Sequence, residues 1–130
     1  MASNTVITAE GAPAPPGPFA PAILATGSRV LNVSGQIADA PDGSIVGLGD
    51  AEEQARQCLR NLDALLRAAG ASRTDVVKVG VFLTDIADRA AVARARTEFF
   101  GDHKPAATLF QVAALVLPEL KVEIDAVAVF

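Results

Sequence analysis

The sequence predicts a single α+β domain in which two helices pack on one face of one mixed β-sheet. Its 130 residues match the length of one domain, so residues 1–130 are assigned to a single unit. Two segments place apolar residues at helical spacing, and the other apolar segments alternate with a period of two. The segments follow the order strands, helix, strand, helix and two strands, which is typical of an α+β domain.

The N-terminal part of the chain predicts strands that are interrupted by a rigid loop. A short strand is expected at residues 5–8, followed by the proline-rich sequence GAPAPPGPFAPA at residues 11–22. Because proline lacks an amide donor, this stretch is expected to be a fixed, extended loop rather than a helix or a regular strand.

Two further strands are expected at residues 22–26 and 30–34, on either side of the Gly-Ser pair at residues 27–28. A glycine-containing turn between two short apolar strands predicts a β-hairpin. The following loop, residues 38–49, is rich in turn-forming residues and is expected to contain a further short strand at residues 44–46.

The strongest helical pattern covers residues 51–69. Asp50 is a good N-cap, Glu53 has the spacing of a capping box, and Gly70 is a typical C-terminal stop. The apolar residues at helical spacing form one stripe, which comprises Ala51, Ala55, Cys58, Leu59, Leu62, Leu65, Leu66 and Ala69. The opposite face is expected to be solvated and comprises Arg56, Arg60, Asp63 and Arg67.

The second half of the chain alternates between strand and helix patterns. A strand is expected at residues 75–84, a helix at 87–100 with Gly101 as its stop, and strands at 107–115 and 120–130. In the first of these strands, one face is expected to comprise Val77, Val79, Val81 and Leu83. In the last strand, one face is expected to comprise Val122, Ile124, Ala126 and Ala128.

The sheet that this order predicts has a second face that neither helix covers. Its strands nevertheless supply Val, Leu, Ala and Phe side chains to both faces. Because a large exposed apolar face is a liability for a monomer, we expect the chain to self-associate.

The composition argues against several classes of function. The net charge of −4 and the absence of Trp and Tyr disfavour nucleic-acid binding, which depends on Lys, Arg and stacking aromatic side chains. No apolar run reaches the roughly 18 residues of a membrane span, and the start of the chain does not resemble a secretory signal, so a cytoplasmic location is expected. Cys58 is the single cysteine, which excludes an internal disulfide and argues against a Cys-based zinc site.

Six stretches, in order and over nearly the whole chain, resemble one protein family. The stretches are AEGAPAPPGPFAPA, VSGQIA, EQARQCLRNLDALLRAAGAS, DVVKVGVFLTDIAD, TEFFGDHKPAATLFQVAAL and LPELKVEIDAVAV. On these motifs the chain resembles the RidA/YjgF family, also described as endoribonuclease L-PSP. The resemblance implies a chorismate-mutase-like fold, a homotrimer whose three sheets close into a barrel, and a cleft for a small-molecule ligand at each subunit interface. It implies no metal or organic cofactor.

The resemblance also implies an activity, the hydrolysis of enamines and imines such as 2-aminoacrylate to a keto acid and ammonia. In the family, a glutamate in the last strand assists the proton transfers, and the matching catalytic residue here is Glu123. An aromatic residue of the proline-rich loop and the Ser-Gly-Gln turn contact the substrate. The matching substrate-binding residues are Phe19, Ser34 and Gly35, and Gln111 is a further candidate for lining the cleft.

The chain departs from the family at the motif that binds the substrate carboxylate. The usual Pro-Ala-Arg motif supplies an arginine, whereas this chain has Ala107, and the residue two positions later is Leu109. A methyl group cannot replace the two parallel hydrogen bonds of a guanidinium. We therefore expect the cleft to be more apolar than a 2-aminoacrylate site and to have weak or no activity on that compound.

Three interpretations of this departure are open on the sequence alone. The protein hydrolyses a different imine or enamine, one that is larger, more apolar or uncarboxylated. Alternatively, it binds a small apolar or carbonyl ligand without turnover. In the third interpretation another cation replaces the missing arginine, and the nearest candidates in sequence are Arg96, His103 and Lys104. Endoribonuclease activity ranks below these alternatives because the chain is acidic.

Overall fold

The computed structural model describes residues 2–130 and contains the predicted order of strands and helices. The strands are β1 (Ser3–Ile7), β2 (Ala22–Thr26), β3 (Val30–Gln36), β4 (Val76–Leu83), β5 (Ala106–Gln111) and β6 (Val122–Val129). The helices are α1 (Ala51–Ala68) and α2 (Arg89–Phe100). Short 3₁₀ turns precede β4 and α2 at Arg73–Asp75 and Ile86–Asp88. The predicted α+β class is confirmed.

Four of the strands form one mixed sheet in the order β3-β6-β4-β5. β4 and β5 are parallel, whereas β6 runs antiparallel to both of its neighbours. Helix α1 packs on β3 and β6, and α2 packs against α1. The prediction of one sheet is too simple, because β1 and β2 form a separate antiparallel pair.

The predicted hairpin between β2 and β3 is wrong, although both strands exist. β2 pairs with β1, whereas β3 pairs with β6. The turn between β2 and β3 passes over the end of β6, where Arg29 and Phe130 exchange backbone hydrogen bonds of 2.9 and 3.0 Å. A Cβ atom at Gly27 would come within 2.9 Å of the Val129 side chain. Glycine is therefore needed here for the close approach to β6, and each strand finds a partner remote in sequence.

Helix α1 begins and ends as its sequence predicts, but its capping box is only half formed. The Asp50 Oδ1 atom accepts a hydrogen bond of 3.0 Å from the Glu53 amide, and Gly70 follows the helix with a φ of +83°. The Glu53 carboxylate pairs with Arg56 and Arg60 at 3.3 and 3.0 Å. It thus joins a surface ion network instead of returning to the N-cap.

The apolar stripe of α1 is buried apart from its edge. Its buried members are Ala51, Ala55, Cys58, Leu59, Leu62 and Leu66. Leu65, which the helical spacing places in the apolar stripe, is 43% exposed, whereas Gln54 and Gln57 are buried. The Gln54 side chain donates to the Glu119 carbonyl and accepts from the Lys121 amide at 2.9 and 2.7 Å. Because its polar atoms are satisfied, this glutamine can lie in the core and tie α1 to the start of β6.

The strand β4 has a bulge that the alternating pattern does not predict. The register of β4 on β6 shifts between Val76 and Lys78, so Val76 is buried and Val77 is only half-buried. Beyond the bulge the predicted face is confirmed and comprises Val79, Val81 and Leu83. In β6 the predicted buried face is also confirmed and comprises Val122, Ile124, Ala126 and Ala128.

Several element boundaries differ from the predictions. The strand expected at residues 44–46 is reduced to one isolated bridge between Asp39 and Ile45. Helix α2 begins two residues late, at Arg89, because a 3₁₀ turn precedes it. Strand β5 ends at Gln111, since β4, its partner strand in the sheet, ends at the paired residue.

The face of the four-stranded sheet away from the helices is uncovered, as predicted. Phe82 and Phe110 pack edge-to-face on it with ring centroids 5.2 Å apart. Phe110 is 46% exposed and Val30 at the other edge is 62% exposed. Exposed apolar side chains of this size suit a contact with another subunit. Within residues 2–130, neither helix is sufficiently long and apolar to cross a membrane.

Candidate functional site

A pocket of about 290 Å³ lies between the proline-rich loop, helix α2 and the edge strand β5. Its volume is at the lower end of the range for small-molecule sites, roughly 300–1,000 Å³. The lining residues are Pro16, Gly17, Pro18, Phe19, Arg89, Ala90, Ala93, Arg96, Ala107 and Leu109. The site therefore combines an apolar wall with two arginines.

The proline-rich loop is fixed to the sheet beside this pocket. The Ala20 amide donates to the Pro105 carbonyl at 3.1 Å, and Ala20 forms a parallel bridge with Ala106. Within the loop, the Phe19 amide donates to the Gly17 carbonyl at 2.9 Å. These bonds hold the Phe19 ring against the pocket, as expected for a loop with few free amide donors.

The strand β5 supplies the floor of the pocket on the helix side of the sheet. Ala107 and Leu109 pair in register with Val79 and Val81 of β4, and both pack against the core. The Ala107 methyl group lies at the position where a longer side chain would enter the pocket. The predicted substrate-binding residues Phe19, Ala107 and Leu109 are thus together in this structure.

Helix α2 supplies the charged wall of the pocket. Arg89, Ala93 and Arg96 are separated by four and three residues and therefore share one helix face. Arg96 is only 4% exposed. Its Nε and Nη2 atoms are buried and have no hydrogen-bond partner in the described part of the chain. Burial lowers the pKa of the Arg96 guanidinium, because the charged form loses its hydration.

The remaining predicted site residues lie elsewhere on the chain. Glu123 pairs in register with Phe82 and so faces the uncovered side of the sheet. Gly35 lies beneath it, and a Cβ atom there would collide with the Glu123 carboxylate. Ser34 adjoins Gly35 in the irregular part of β3. In one chain, the predicted catalytic carboxylate and the pocket are therefore on opposite faces of the sheet.

A second carboxylate on β6 has a similar glycine but a different environment. The Gly80 amide donates to Asp125 Oδ1 at 2.9 Å, and a Cβ atom at Gly80 would also collide with this carboxylate. No side-chain hydrogen bond to Glu123 is found among residues 2–130. The Asp125 carboxylate is therefore engaged with the sheet, whereas the Glu123 carboxylate lies over Gly35.

Gln111 and two of the three candidate replacement cations do not line the pocket. The Gln111 Oε1 atom accepts from the Ile86 amide at 2.9 Å and thereby holds the turn before α2. The His103 Nε2 atom donates to the Val76 carbonyl at 2.7 Å. Lys104 is exposed. Among the described residues, no three carboxylate, imidazole or thiol groups converge as a metal site would require.

The sequence motifs indicate Arg96 as one of three alternative cations and do not indicate Arg89. The signal for both was available, because residues 89, 93 and 96 have the spacing of one helix face. The missing information was the direction of that face. Only the packing of α2 beside the proline-rich loop and β5 brings Arg96 to the pocket that contains Ala107.

The family model described as endoribonuclease L-PSP matches residues 9–130. This range includes the proline-rich loop, both helices and the β6 strand that define the site. The chain belongs to the RidA/YjgF family.

Relatives in this family include proteins with an assigned activity. The human 2-iminobutanoate/2-iminopropanoate deaminase is 38% identical over 124 residues, which cover 95% of this chain and 88% of the human protein. Among solved structures, the Rid family protein YyfB from Yersinia pestis has a TM-score of 0.88 at 35% identity and covers 98% of both chains. Escherichia coli TdcF, solved with bound serine, has a TM-score of 0.73 at 35% identity, covering 97% of this chain and 98% of that one.

Proposed function

We propose that this RidA/YjgF family member is an imine and enamine hydrolase that releases ammonia. The observation that carries this proposal is the pocket of about 290 Å³ with an apolar wall and a buried arginine. Such a pocket suits a small substrate with one apolar and one polar end. The human relative named as an imino-acid deaminase supports the same reaction class.

The reaction adds water across a carbon–nitrogen double bond. The water oxygen attacks the imine carbon, Glu123 accepts the proton that this water loses, and the imine nitrogen takes up a proton from solvent. The resulting carbinolamine nitrogen takes up the proton held by Glu123 and leaves as ammonia, while the hydroxyl loses its proton to solvent and the carbon–oxygen double bond forms. An enamine enters the same sequence after its β-carbon has taken a proton and the imine has formed.

The active form is proposed to be a homotrimer with the site shared between subunits. Glu123 and the pocket lie on opposite faces of the sheet in one chain, so a site that contains both requires two chains. The exposed Phe110 and Val30 side chains provide an apolar surface for such an assembly. Phe19 then forms the apolar wall, and Ser34 and Gly35 accompany Glu123 from the neighbouring subunit.

The matched pair of β6 carboxylates tests this mechanism. Glu123→Gln is expected to reduce ammonia release by about a hundredfold or more, the range typical of general acid–base catalysis. Asp125→Asn is the control, because the Asp125 carboxylate already accepts the Gly80 amide. Imines are generated from amino acids by an amino-acid oxidase, and ammonia is measured for the trimer that light scattering identifies. Equal rates for wild type and Glu123→Gln would remove Glu123 from the mechanism.

A non-catalytic ligand-binding trimer is the second candidate, and Ala107 is the observation that favours it. The family's arginine is missing at this position, so a ligand could be held in the pocket without the orientation that hydrolysis needs. Saturable binding of imines without ammonia release would support this candidate. Endoribonuclease activity has little support, because a chain with a net charge of −4 is poorly suited to binding phosphates. The cytoplasmic location stays a prediction.

A further inference from the structure

We infer that the guanidinium of Arg96, on helix α2, is the carboxylate-binding group of the pocket and replaces the arginine that is absent at position 107. The substrate would then be an imino acid rather than an uncharged imine. This inference rests on the proposed function for the reaction, but its binding step can be tested without turnover.

The first argument is the burial of an unpaired charge. Arg96 is 4% exposed, and its Nε and Nη2 atoms have no partner among residues 2–130. Burying a charged group without a partner is strongly unfavourable, so buried charges in proteins are normally paired. Arg96 lines the pocket, and these two buried donors lack a protein partner. Its guanidinium is therefore suited to a ligand with two acceptors, and a carboxylate has this geometry.

The second argument is that Arg96 lines the same pocket as the substituted residue. Arg96 from α2 and Ala107 from β5 line the same pocket. A small residue at position 107 leaves room on the β5 side for the end of a ligand. Ala93, one turn before Arg96 on the same helix face, leaves similar room on the α2 side. The buried cation of this pocket is therefore supplied by α2, and β5 supplies only a methyl group at position 107.

The third argument is the charge of the pocket lining. The lining includes Arg96 and the exposed Arg89 but no carboxylate. Glu98, the acidic residue nearest in sequence on α2, is engaged at 3.1 Å by Arg56 of α1. The pocket is therefore cationic within a chain whose net charge is −4. A local field of this sign favours anionic ligands over neutral ones.

The shape and apolar wall of the site restrict the rest of the ligand. Phe19 and Leu109 provide apolar surface, and the volume of about 290 Å³ suits a small molecule. These features fit a 2-imino acid with a short apolar side chain. The interpretation with a larger, more apolar or uncarboxylated substrate rests on Ala107. With Arg96 in the same pocket, the third interpretation of the sequence is favoured instead.

The binding test uses the keto acid that hydrolysis of such an imino acid would leave. Titration calorimetry on the full-length assembled protein compares 2-oxobutanoate with its uncharged amide, 2-oxobutanamide. Wild type is expected to prefer the acid, and Arg96→Met is expected to lose about thirty-fold or more in affinity for the acid alone. Arg56→Met is the control and is expected to bind like wild type. Unchanged affinity in Arg96→Met would overturn the inference.

Thermal unfolding distinguishes a ligand-binding arginine from a structural one. If Arg96 has no protein partner, Arg96→Met is expected to keep or raise the Tm of the ligand-free protein. A large fall in Tm without a change in affinity would mean that Arg96 pairs with a neighbouring subunit, and would overturn the inference. Should the Met variant fail to fold, Arg96→Lys keeps the charge but loses the bidentate geometry. An unchanged affinity of the Lys variant for the acid would likewise count against the inference.

A rescue variant connects the two positions. Ala107→Arg introduced into Arg96→Met returns a guanidinium to the pocket from β5, and it is expected to restore much of the preference for the acid. If the acid binds through Arg96 and no imine is hydrolysed, the deaminase proposal fails and the inference stands. If uncharged imines and imino acids are hydrolysed equally fast by wild type and Arg96→Met, the deaminase proposal stands and the inference fails.

Discussion

Arg56, which lies between the two helices, and Arg96, which lines the pocket, have opposite environments in this fold. Arg56 is partly exposed, yet it contacts the carboxylates of Glu52, Glu53 and Glu98 at 2.6, 3.3 and 3.1 Å. Arg96 is buried, yet it contacts no carboxylate within residues 2–130. Water would solvate Arg56 without any partner, whereas Arg96 has lost most of its hydration. Arg96, whose charge is the less hydrated of the two, is therefore the arginine without a carboxylate partner in the described chain.

The two environments shift the arginine pKa values in opposite directions. A hydrogen bond to Glu98, supported by Glu53 and Glu52, raises the pKa of Arg56. Burial alone lowers the pKa of Arg96. The first environment stabilises the protein slightly and the second destabilises it. Unfavourable groups of this kind are retained where function uses them, because active sites trade stability for binding or catalysis.

The largest expected effect in this comparison is on the kinetics of the two arginine variants. For an imino acid, Arg96→Met is expected to lower kcat/KM by about thirty-fold or more, because a buried charge-assisted contact to the substrate is lost. Arg56→Met is expected to leave kcat/KM unchanged. Steady-state ammonia release with a carboxylated and an uncarboxylated imine measures both. If the two variants lost activity to the same degree, the contrast between these arginines would have no functional meaning.

A smaller effect is expected at Cys58, a third ionisable group that has lost its hydration. Burial within α1 raises the pKa of this thiol to about 12, so it avoids the penalty by remaining neutral, which Arg96 cannot do. In the unfolded chain the thiol ionises near the ordinary pKa of cysteine. The contribution of the neutral thiol to the free energy of unfolding is therefore fully present below about pH 8.5. It is expected to fall by up to about 1.4 kcal/mol per pH unit between pH 9 and pH 12.

Denaturant unfolding of wild type and Cys58→Ala across this alkaline range isolates the contribution of the thiol. The cavity that the variant creates lowers its stability at every pH, so the informative quantity is the difference in slope. Parallel pH dependences for the two proteins would show that the folded thiol ionises as readily as the unfolded one.

The smallest expected effect concerns the surface ion network of α1 and α2. A hydrogen bond from Arg94 and a weaker one from Arg56 lower the pKa of Glu52. The stability that Glu52 gains from these two arginines is therefore present at neutral pH and is lost as the pH falls below the ordinary pKa of glutamate. The Tm difference between wild type and Arg56→Met is therefore expected to be small at pH 7 and to vanish in acid. It is also expected to vanish in about 1 M NaCl, where screening acts within about 3 Å. A difference that persists in high salt would indicate packing by the Arg56 side chain instead.

The candidate site could be predicted from sequence only in part. The motif comparison located Phe19, Ala107 and Leu109, which share a pocket, and Glu123 and Gly35, which are in contact. It could not show that these are two groups on opposite faces of the sheet. The side chain of Gln111, a further candidate for lining the cleft, accepts from the Ile86 amide and holds the turn before α2.

In the fold, features that depend on neighbouring residues in sequence could be predicted, whereas features that depend on remote residues could not. Helix α1, with its Asp50 cap and Gly70 stop, follows its own sequence because capping depends on groups within one turn of the helix. The pairing of β2 with β1 could not be predicted from the sequence of either strand. A strand pattern specifies which residues face inward but not which strand lies beside it. The bulge near Val77 and the exposure of Leu65 also depend on neighbours remote in sequence.

By itself, the sequence determined the order of strands and helices, their apolar faces, the family motifs and the loss of an arginine at position 107. The tertiary structure alone decided that Arg96 lines the same pocket as Ala107 and that no protein group in the described chain neutralises it. The physical reason is that periodicity and capping are properties of a few consecutive residues. Burial and pairing of a charge, in contrast, depend on every element that packs around it.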